Sequence, residues 1–476
     1  MTTVDSQYEA IAPLQVRWRG FRGFQDTGWR PLNGLTVLIG PNHAGKTSFL
    51  LPLVALKQTL ESPDQQVALK LRGDFVDLGS FADLAYLRNN KLEVQMGLRF
   101  GYHGPPDEDT TELGKDHPGE IDVTYTRGLR EEAVLHTVAI NDCYGRTLLR
   151  RTRLKDSEQF GLAGKVVSGA HKPNDATNDA DAAARKAIEI EAPEHFLFTG
   201  EPAYRAGLGF GQNLHEESHG EKGALPDHGP STEVKQYMRI TGYTTYHVQR
   251  LIDHIQLMGP IRSRPQRIYE LSDERPANVG VDGELAPELL FRADPQLRRS
   301  IHRTLRRFGL SVSLEFKSFV RDRAFSLFLR DTSGNEANFA DAGFGYSQLL
   351  PLLVQLETTK RDSHLLIEQP EIHLNPALQG TFADVVMERV EHGANVVVET
   401  HSDHILLRIR RRIAEGSFDP EALNLLYFEG TDEGTNIRRV HVDDRGQILD
   451  DEWPAGFFAN DVADSIALAR AASKKR

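Results

Sequence analysis

The segment from Gly40 to Thr47 reads GPNHAGKT and matches the pattern G-x-x-x-x-G-K-[ST]. Glycines in such a loop let backbone N–H groups face a phosphate, and the following helix N-terminus attracts anions. Lys46 is then expected to reach the β- and γ-phosphates, and the Thr47 hydroxyl to bind Mg²⁺. The competing interpretation is a glycine-rich turn that opens a helix. The predicted phosphate-binding residues are Gly40, Pro41, Asn42, His43, Ala44, Gly45, Lys46, Thr47 and Ser48.

Acidic residues follow the apolar run HLLI and read EQPE from Glu368 onward. A triphosphate-hydrolysing site needs a carboxylate at a strand end beside the phosphate loop, and Glu368 is the predicted magnesium-side acid. Gln369 can orient a water molecule but cannot accept its proton. Glu371 is therefore the predicted general base, and the alternative is that it only caps the following helix.

His401 follows another apolar run, in the segment VVVETHS (396–402). A predicted helix separates this run from the Glu368 run, so we expect the two strands to lie side by side. A histidine at such a strand end can hydrogen-bond a γ-phosphate. The alternative is a histidine with a structural role only.

Hydrophobic periodicity indicates the elements that hold these residues. Around the phosphate loop, strands are predicted at 14–18 and 35–39 and a helix at 46–60, in which Pro52 bends or weakens one turn. In the second half of the chain, strands alternate with helices, which predicts βαβ units, a mostly parallel sheet and the α/β class. Those strands are 365–368, 395–399 and 423–428, and the helices between them are 376–391 and 404–415.

The middle of the chain has a different character. Residues 92–154 have β-rich patterns, with a loop predicted at 103–119. Residues 166–231 show little apolar periodicity and are interpreted as an insertion with a short helix near 180–191. The other predicted elements are helices at 233–259, 287–310 and 349–356 and a hairpin of strands 312–316 and 325–330.

Composition argues against several classes of protein. The net charge of −12 opposes coating of nucleic acid by bulk charge, although arginine clusters leave local nucleic-acid contact open. No apolar run reaches the roughly 18 residues of a membrane span, and the N-terminus lacks a signal-peptide pattern. The single cysteine, Cys143, fits a reducing, cytoplasmic location. The clusters are Arg298, Arg299, Arg303, Arg306 and Arg307; Arg408, Arg410, Arg411 and Arg412; and Arg262, Arg264 and Arg267. For the last cluster, which lies on a loop, a role near the nucleotide and a role in the core salt network are alternatives.

Together these motifs resemble the ABC-type ATPases of the SMC/RecF/OLD branch, and in particular stand-alone bacterial AAA-family ATPases often encoded with defence genes. Gly40–Ser48 is similar to their phosphate loop, Ile367–Pro376 to their acidic strand and D-loop, and His401 to their switch histidine. The segment DAGFGYSQ (341–348) resembles the signature motif. The segments GPIR (259–262) and WPAGFF (453–458) resemble further pieces of the subgroup.

Three positions depart from the pattern of these relatives. Asn375 stands where they usually carry histidine, and GFGYSQ replaces the signature LSGGQ. Gln369 replaces the acid that many ABC enzymes have, so slow hydrolysis is expected.

The resemblance implies a P-loop NTPase with an ABC-type head: a mixed, mostly parallel sheet flanked by helices, a β-rich lobe, and a helical and irregular insertion. The predicted segments are 1–155, 156–258 and 259–476. It also implies that ATP and Mg²⁺ bind between two protomers, with Gly345, Ser347 and Gln348 of one protomer closing over the ATP of the other. A homodimer or higher homo-oligomer is therefore expected.

Two functions follow from the resemblance. The first is a dimeric ATP-driven switch that controls a separate effector, a nuclease or toxin, in bacterial anti-phage defence. The residues after His401 are too few for the Toprim nuclease of OLD-type proteins, which favours this function. The second is a RecF-like ATPase that binds DNA in repair or as a clamp. A GTPase or small-molecule kinase is disfavoured, because NKLE (90–93) has Glu where a guanine-reading motif needs Asp.

Overall fold

The computed structural model describes most of the chain. The described residues are 14–89, 93–100, 118–155, 157–164, 179–200, 232–310, 312–319, 323–372 and 374–448. The WPAGFF segment and most of the predicted insertion lie outside them. The chain divides into two compact units, 1–31 with 51–253 and 32–50 with 254–476. The division into 1–155, 156–258 and 259–476 stays a prediction. No helix in the described part is long and apolar enough to cross a membrane.

The strands and helices are numbered here in chain order. The strands are β1 (Gln15–Phe21), β2 (Phe24–Asp26), β3 (Arg30–Pro31), β4 (Leu35–Ile39), β5 (Val94–Arg99), β6 (Pro118–Arg127), β7 (Ala133–Asp142), β8 (Thr147–Arg153), β9 (Phe160–Ala163), β10 (Ile255–Met258), β11 (Tyr269–Glu270), β12 (Val312–Phe319), β13 (Ala324–Asp331), β14 (Glu336–Asn338), β15 (His364–Glu368), β16 (Asn395–Glu399), β17 (Leu423–Thr431) and β18 (Gly434–Val440). The helices are α1 (Lys46–Leu60), α2 (Phe81–Leu84), α3 (Asp179–Ile190), α4 (Thr232–Asp253), α5 (Ala286–Phe291), α6 (Pro295–Arg307), α7 (Phe344–Thr358), α8 (Pro376–Glu391) and α9 (Asp403–Ala414).

The first unit is built on an antiparallel sheet in the order β2-β1-β5-β6-β7-β8-β9, and β3 also pairs with β1. Helices α3 and α4 pack together and against this sheet. Ile188 and Tyr237 on these helices share a buried core with Ile140 and Leu149 on the strands. The β-rich lobe predicted for residues 92–154 is therefore confirmed.

The second unit contains a six-stranded sheet in the order β10-β15-β16-β4-β17-β18. Its first five strands are parallel, and β18 runs antiparallel to β17. All five residues of β4 are buried, as expected for a parallel strand that is covered on both faces. The predicted α/β class and mostly parallel sheet are confirmed, and the Glu368 and His401 strands are neighbours as predicted.

A second, antiparallel sheet in this unit has the order β11-β13-β12, with β14 on β13. Its β12–β13 hairpin confirms the hairpin predicted from the sequence. The rings of Phe291 on α5 and Phe325 on β13 stack with centroids 4.5 Å apart. Residues from both sheets and from α5–α9 form one continuous hydrophobic core, which holds the phosphate-loop strand rigidly in place.

Three element boundaries differ from the predictions. The helix predicted to Gly259 ends at Asp253, because residues 255–258 pair with β15 as a strand and this pairing outweighs their helical periodicity. Helix α7 begins at Phe344, five residues before the predicted start, so the signature-like segment lies in its first turns. Pro118 and Gly119 begin β6 instead of ending the predicted loop.

Candidate functional site

The phosphate loop connects β4 to α1 at the carboxyl edge of the parallel sheet. Gly40 has a φ of +144° and Gly45 a φ of +93°, values that residues with a side chain rarely adopt. A Cβ atom on Gly40 would lie 2.3 Å from the carbonyl oxygen of Phe428. The N–H of Phe49 donates to the carbonyl of Gly45 at 3.0 Å, at the start of α1. The loop therefore opens onto a helix N-terminus, where an anion is stabilised.

Lys46 is buried at the base of this loop, with 4% of its surface exposed. Its ammonium donates to the carbonyl oxygens of Gly40 at 3.0 Å and Pro41 at 2.8 Å. Burial lowers the pKa of Lys46, while the charges of Glu399 and Glu371 oppose that shift. Two carbonyl oxygens thus hold the ammonium at the loop. Phosphate oxygens are stronger acceptors than carbonyl oxygens, so a phosphate bound there can take their place.

The Thr47 hydroxyl meets a carboxylate that the sequence analysis missed. Thr47 Oγ1 lies 2.9 Å from each carboxylate oxygen of Glu399. Glu399 ends β16 and pairs in register with Glu368, which ends β15. The sequence signal was available, because VVVE and HLLIE both place a glutamate after an apolar run. Register alone brings the two glutamates together.

The environment of Glu368 and Glu399 suits a divalent cation. Burial raises the pKa of Glu368 to about 7, and the charge of Glu399 adds to that effect. Burial also raises the pKa of Glu399, against the hydrogen bond from Thr47 and the charge of Lys46. A buried carboxyl group, Glu399, and a half-buried one, Glu368, repel each other beside a hydroxyl and provide the hard oxygen ligands that Mg²⁺ prefers.

Glu371 lies in the turn after β15 and is held by the end of β16. Its carboxylate accepts a hydrogen bond from Thr400 Oγ1 at 2.8 Å and another from the His401 backbone N–H at 2.7 Å. Helix α8 is capped by Asn375, whose side chain accepts from the Leu378 N–H at 3.1 Å. The alternative interpretation of Glu371 as a helix cap is therefore wrong.

His401 belongs to the same group of charges. Burial lowers the pKa of its imidazole, the charge of Lys46 lowers it further, and Glu371 opposes both. Gln369 adopts a φ of +44°, which is uncommon for a residue with a side chain, and its N–H donates to the carbonyl of Glu399 at 2.8 Å. The catalytic roles of Glu371, Gln369 and His401 remain predictions, but the three follow neighbouring strand ends.

The signature-like segment forms the start of α7. A Cβ atom on Gly343 or Gly345 would meet no other atom within 4 Å, so this end of the helix presents bare backbone to solvent. Ser347 and Gln348 are 3% and 6% exposed, which places their side chains inside the chain. The contact of Gly345, Ser347 and Gln348 with a partner's ATP remains a prediction.

Several arginines of the basic clusters are engaged within the chain. Arg408 and Arg412 on α9 both bind Asp384 on α8, at 2.6 Å and 2.8 Å. Arg307 pairs with Glu388 through two bonds of 2.6 Å. These ion pairs join helices to one another. Three further arginines on α6 are exposed: Arg299, Arg303 and Arg306.

The described residues fit a magnesium nucleotide. No group of three or more His, Cys, Asp or Glu side chains that could hold a metal by itself occurs among them. Mg²⁺ usually binds one or two carboxylates and completes its coordination with water and substrate phosphates. Thr47, Glu368 and Glu399 supply that partial set, and Lys46 and the glycine loop supply donors for phosphates. The ion, when bound, supplies positive charge that offsets the phosphate oxygens.

The parallel sheet, the glycine loop and the acidic strand ends define an α/β fold of the P-loop NTPase class. A family model described as "AAA domain, putative AbiEii toxin, Type IV TA system" matches residues 35–407, and the chain belongs to this family. No curated protein matches the chain.

Solved structures that are similar to this chain include heads of SMC proteins. The SMC head domain from Thermotoga maritima is 10% identical, with 90% of this chain and 98% of that chain covered and a TM-score of 0.35. The Smc head domain with a coiled coil and joint from Pyrococcus yayanosii is 10% identical, with 92% and 98% covered and a TM-score of 0.39. The Smc head domain from Pyrococcus furiosus, bound to the C-terminal domain of ScpA, is 10% identical, with 91% and 97% covered and a TM-score of 0.38. Likenesses at this level carry no argument about activity or partners.

Proposed function

We propose that the chain is a Mg²⁺-dependent ATPase that dimerises with ATP and, as a dimer, switches a separate effector protein in bacterial defence. One observation carries the ATPase part: Lys46 and Thr47 of the phosphate loop lie with Glu399, Glu371 and His401 at a single sheet edge. A phosphate-binding cation, a metal-side acid and a candidate base are the parts that phosphoryl transfer to water requires. That the nucleotide is ATP is inferred from the family to which the chain belongs.

Slow hydrolysis is part of the proposal. Glu371 is the proposed base, because two hydrogen-bond donors fix its carboxylate beside His401. Gln369 follows Glu368 directly and cannot accept a proton, so it orients water at most. Many ABC enzymes carry a second acid directly after the first, whereas in this chain the proposed base, Glu371, lies two residues beyond Gln369.

Dimerisation is supported by the exposed start of α7. Gly343 and Gly345 leave the backbone uncovered, and a helix N-terminus stabilises an anion that approaches it. The γ-phosphate of an ATP bound by a second copy is such an anion. The side chains of Ser347 and Gln348 are buried, so the exposed backbone at Gly345 is the part of the segment that a partner's ATP meets first. ATP would join two heads and hydrolysis would release them, which makes the pair a bistable element.

The effector part of the proposal rests on the family. The description of the family names a toxin of a type IV toxin–antitoxin system, which agrees with a role in defence. We assign the toxic or nucleolytic step to another chain, as the resemblance to defence-associated ATPases implies.

A second candidate is a DNA-binding ATPase of the RecF type. Arg299, Arg303 and Arg306 recur at helical spacing on the exposed face of α6, which favours contact with phosphates of nucleic acid. Arg307, Arg408 and Arg412 are engaged in ion pairs, which weakens this candidate.

The test measures molar mass of the purified full chain with no nucleotide, with ADP and with ATP, all with Mg²⁺. We expect a dimer with ATP alone, and no ATP-dependent change in Lys46→Ala. Lys360→Ala, at an exposed position, is the matched control and should behave as the wild type. Equal mass in all three conditions, or no ATP binding by the wild type, would overturn the switch. DNA binding that depends on ATP and salt, by the chain alone, would instead favour the second candidate.

A further inference from the structure

Arg262 follows the carboxyl end of β10, in the GPIR segment. The register of the parallel sheet pairs Met258 of β10 with Ile367 of β15, immediately before Glu368. The strand order β10-β15-β16-β4 then places the GPIR segment, Glu368, Glu399 and the phosphate loop along the same edge. The segment therefore approaches the candidate site from the side opposite to the phosphate loop.

The guanidinium of Arg262 is buried and only partly bonded. Arg262 is 4% exposed, and its Nη1 donates to the carbonyl oxygen of Pro260 at 2.8 Å. Its Nε and Nη2 have no hydrogen-bond partner among the residues that the structure describes. Burying a cation with two free donor atoms costs several kcal/mol unless an acceptor meets them. A ligand whose atoms accept hydrogen bonds from Nε and Nη2 removes this cost.

The acids around Arg262 do not supply them. The charges of Glu371, Glu368 and Asp282 act on Arg262, yet none of these carboxylates bonds its Nε or Nη2. The oxygens of Glu371 are already engaged by Thr400 and His401. Burial lowers the pKa of Arg262 only to about 10, so the guanidinium stays charged at neutral pH. The guanidinium of Arg262 therefore keeps its charge, and its Nε and Nη2 lack acceptors among the described residues.

Glu371 connects this cation to the phosphate loop. Its charge acts on Lys46 and on Arg262, so the two cations flank the same carboxylate. The loop amides hold the inner phosphates of a nucleotide, whereas the terminal phosphate extends beyond them toward the acidic strand ends. A guanidinium binds phosphate through parallel, charge-assisted N–H bonds, which matches a free Nε and Nη2 edge.

We propose that Arg262 binds the terminal phosphate of the nucleotide through Nε and Nη2, so that the site distinguishes a triphosphate from a diphosphate. This inference rests on the proposed function, because it requires a nucleotide at the phosphate loop. Arg262 then detects the γ-phosphate from the segment that follows β10, on the side opposite to Lys46.

The test compares affinities for two nucleotides, AMP-PNP and ADP, with Mg²⁺, by isothermal titration calorimetry on the full chain. Arg262→Ala should weaken AMP-PNP binding by about 30-fold or more, which is about 2 kcal/mol, and ADP binding by less than about 3-fold. Arg262→Lys should recover part of the AMP-PNP affinity. Arg264→Ala, an exposed arginine two residues away, is the matched control and should leave both affinities unchanged.

The outcomes separate this inference from the proposed function. Equal losses for AMP-PNP and ADP in Arg262→Ala would show a structural role and overturn the inference alone. Unchanged affinity for both nucleotides would also overturn it. A wild-type chain that binds neither nucleotide would overturn the proposed function. Should Arg262→Ala fail to fold, Arg262→Gln, which keeps a donor without the charge, is compared in the same way.

Discussion

Thr47 and Glu399, 352 positions apart in the chain, are joined by a hydroxyl that lies 2.9 Å from both oxygens of a carboxylate. The contact ties the first turn of α1 to the end of β16. A threonine hydroxyl and a carboxylate oxygen are both ligands for Mg²⁺. Glu399 is therefore proposed as a metal-side acid beside the predicted Glu368.

The first prediction concerns these two acids. Glu399→Gln keeps an acceptor for Thr47 but removes a charge, so Mg²⁺-dependent ATP affinity should fall by about 10-fold, or about 1.4 kcal/mol. ATP binding measured in excess EDTA should not change. Fluorescent-nucleotide titrations over a range of Mg²⁺ concentrations check this. A loss in Glu368→Gln with none in Glu399→Gln would leave Glu368 as the sole metal-side acid.

The second prediction concerns pH and Glu368. Burial raises the pKa of Glu368 from 4.5 to about 7, so the folded state holds its proton more tightly than the unfolded state. The stabilisation is complete below pH 4.5 and is lost as the pH rises toward 7, by up to roughly 3 kcal/mol. Urea unfolding in EDTA at pH 5 and pH 7.5 should show this fall. Glu368→Gln should flatten it, and Glu421→Gln, on the surface, should not.

The third prediction concerns the base. Glu371→Gln should reduce the rate of ATP hydrolysis by about 100-fold or more, because general-base catalysis contributes on that order. Its ATP affinity should stay within about 3-fold of the wild type, and the ATP-bound dimer should persist. Single-turnover hydrolysis and molar mass are the measurements. Hydrolysis near the wild-type rate in this variant would place the base elsewhere.

The fourth prediction concerns the start of α7. Gly345→Trp adds a large side chain to open surface, so it should abolish the ATP-dependent dimer and leave the ATP affinity of the monomer unchanged. Gly430→Trp is the matched control, because a Cβ atom there also meets nothing within 4 Å. If both variants dimerise with ATP as the wild type does, the trans contact is not made by this helix end.

The fifth prediction concerns the phosphate loop itself. Gly40→Ala should destabilise the fold by about 2 kcal/mol or more, because φ is +144° and the new methyl would lie 2.3 Å from the Phe428 carbonyl oxygen. Gly430→Ala, at an open position without positive φ, should change the free energy of unfolding by less than about 0.5 kcal/mol. Urea denaturation of both variants decides between them.

The sequence predicts an element correctly where its local pattern favours the same structure as its packing in the fold. The strand at 35–39 and the helices at 46–60 and 376–391 have the predicted bounds, because apolar periodicity, glycines and prolines mark their ends. Residues 255–258 were assigned to a helix, since only their pairing with β15 makes them a strand. Whether residues 255–258 form a helix or a strand is decided by β15, which is distant in the sequence, and not by the segment itself.

The candidate site was likewise only partly visible in the sequence. Lys46, Thr47 and Glu371 stand in motifs, and the structure brings them to one edge of the sheet. Glu399 escaped notice because its partner is set by strand register, which no local pattern states. The hydrogen bonding of Arg262 depends on the atoms that surround it in the folded chain, and the sequence near Arg262 does not state which atoms these are.

The position of β4 in its sheet bears on how the protein is made. Both strands that flank β4, β16 and β17, lie roughly 350 residues or more further along the chain. At a synthesis rate of about 5–20 residues per second, a ribosome needs roughly 20 to 70 seconds between them. Until β16 and β17 are made, the phosphate-loop strand β4 has no partner strand on either side. Its unpaired backbone N–H and C=O groups can then pair with other chains. A chain that stops before β16 therefore lacks both neighbours of the phosphate-loop strand and also the Glu399 carboxylate that contacts Thr47.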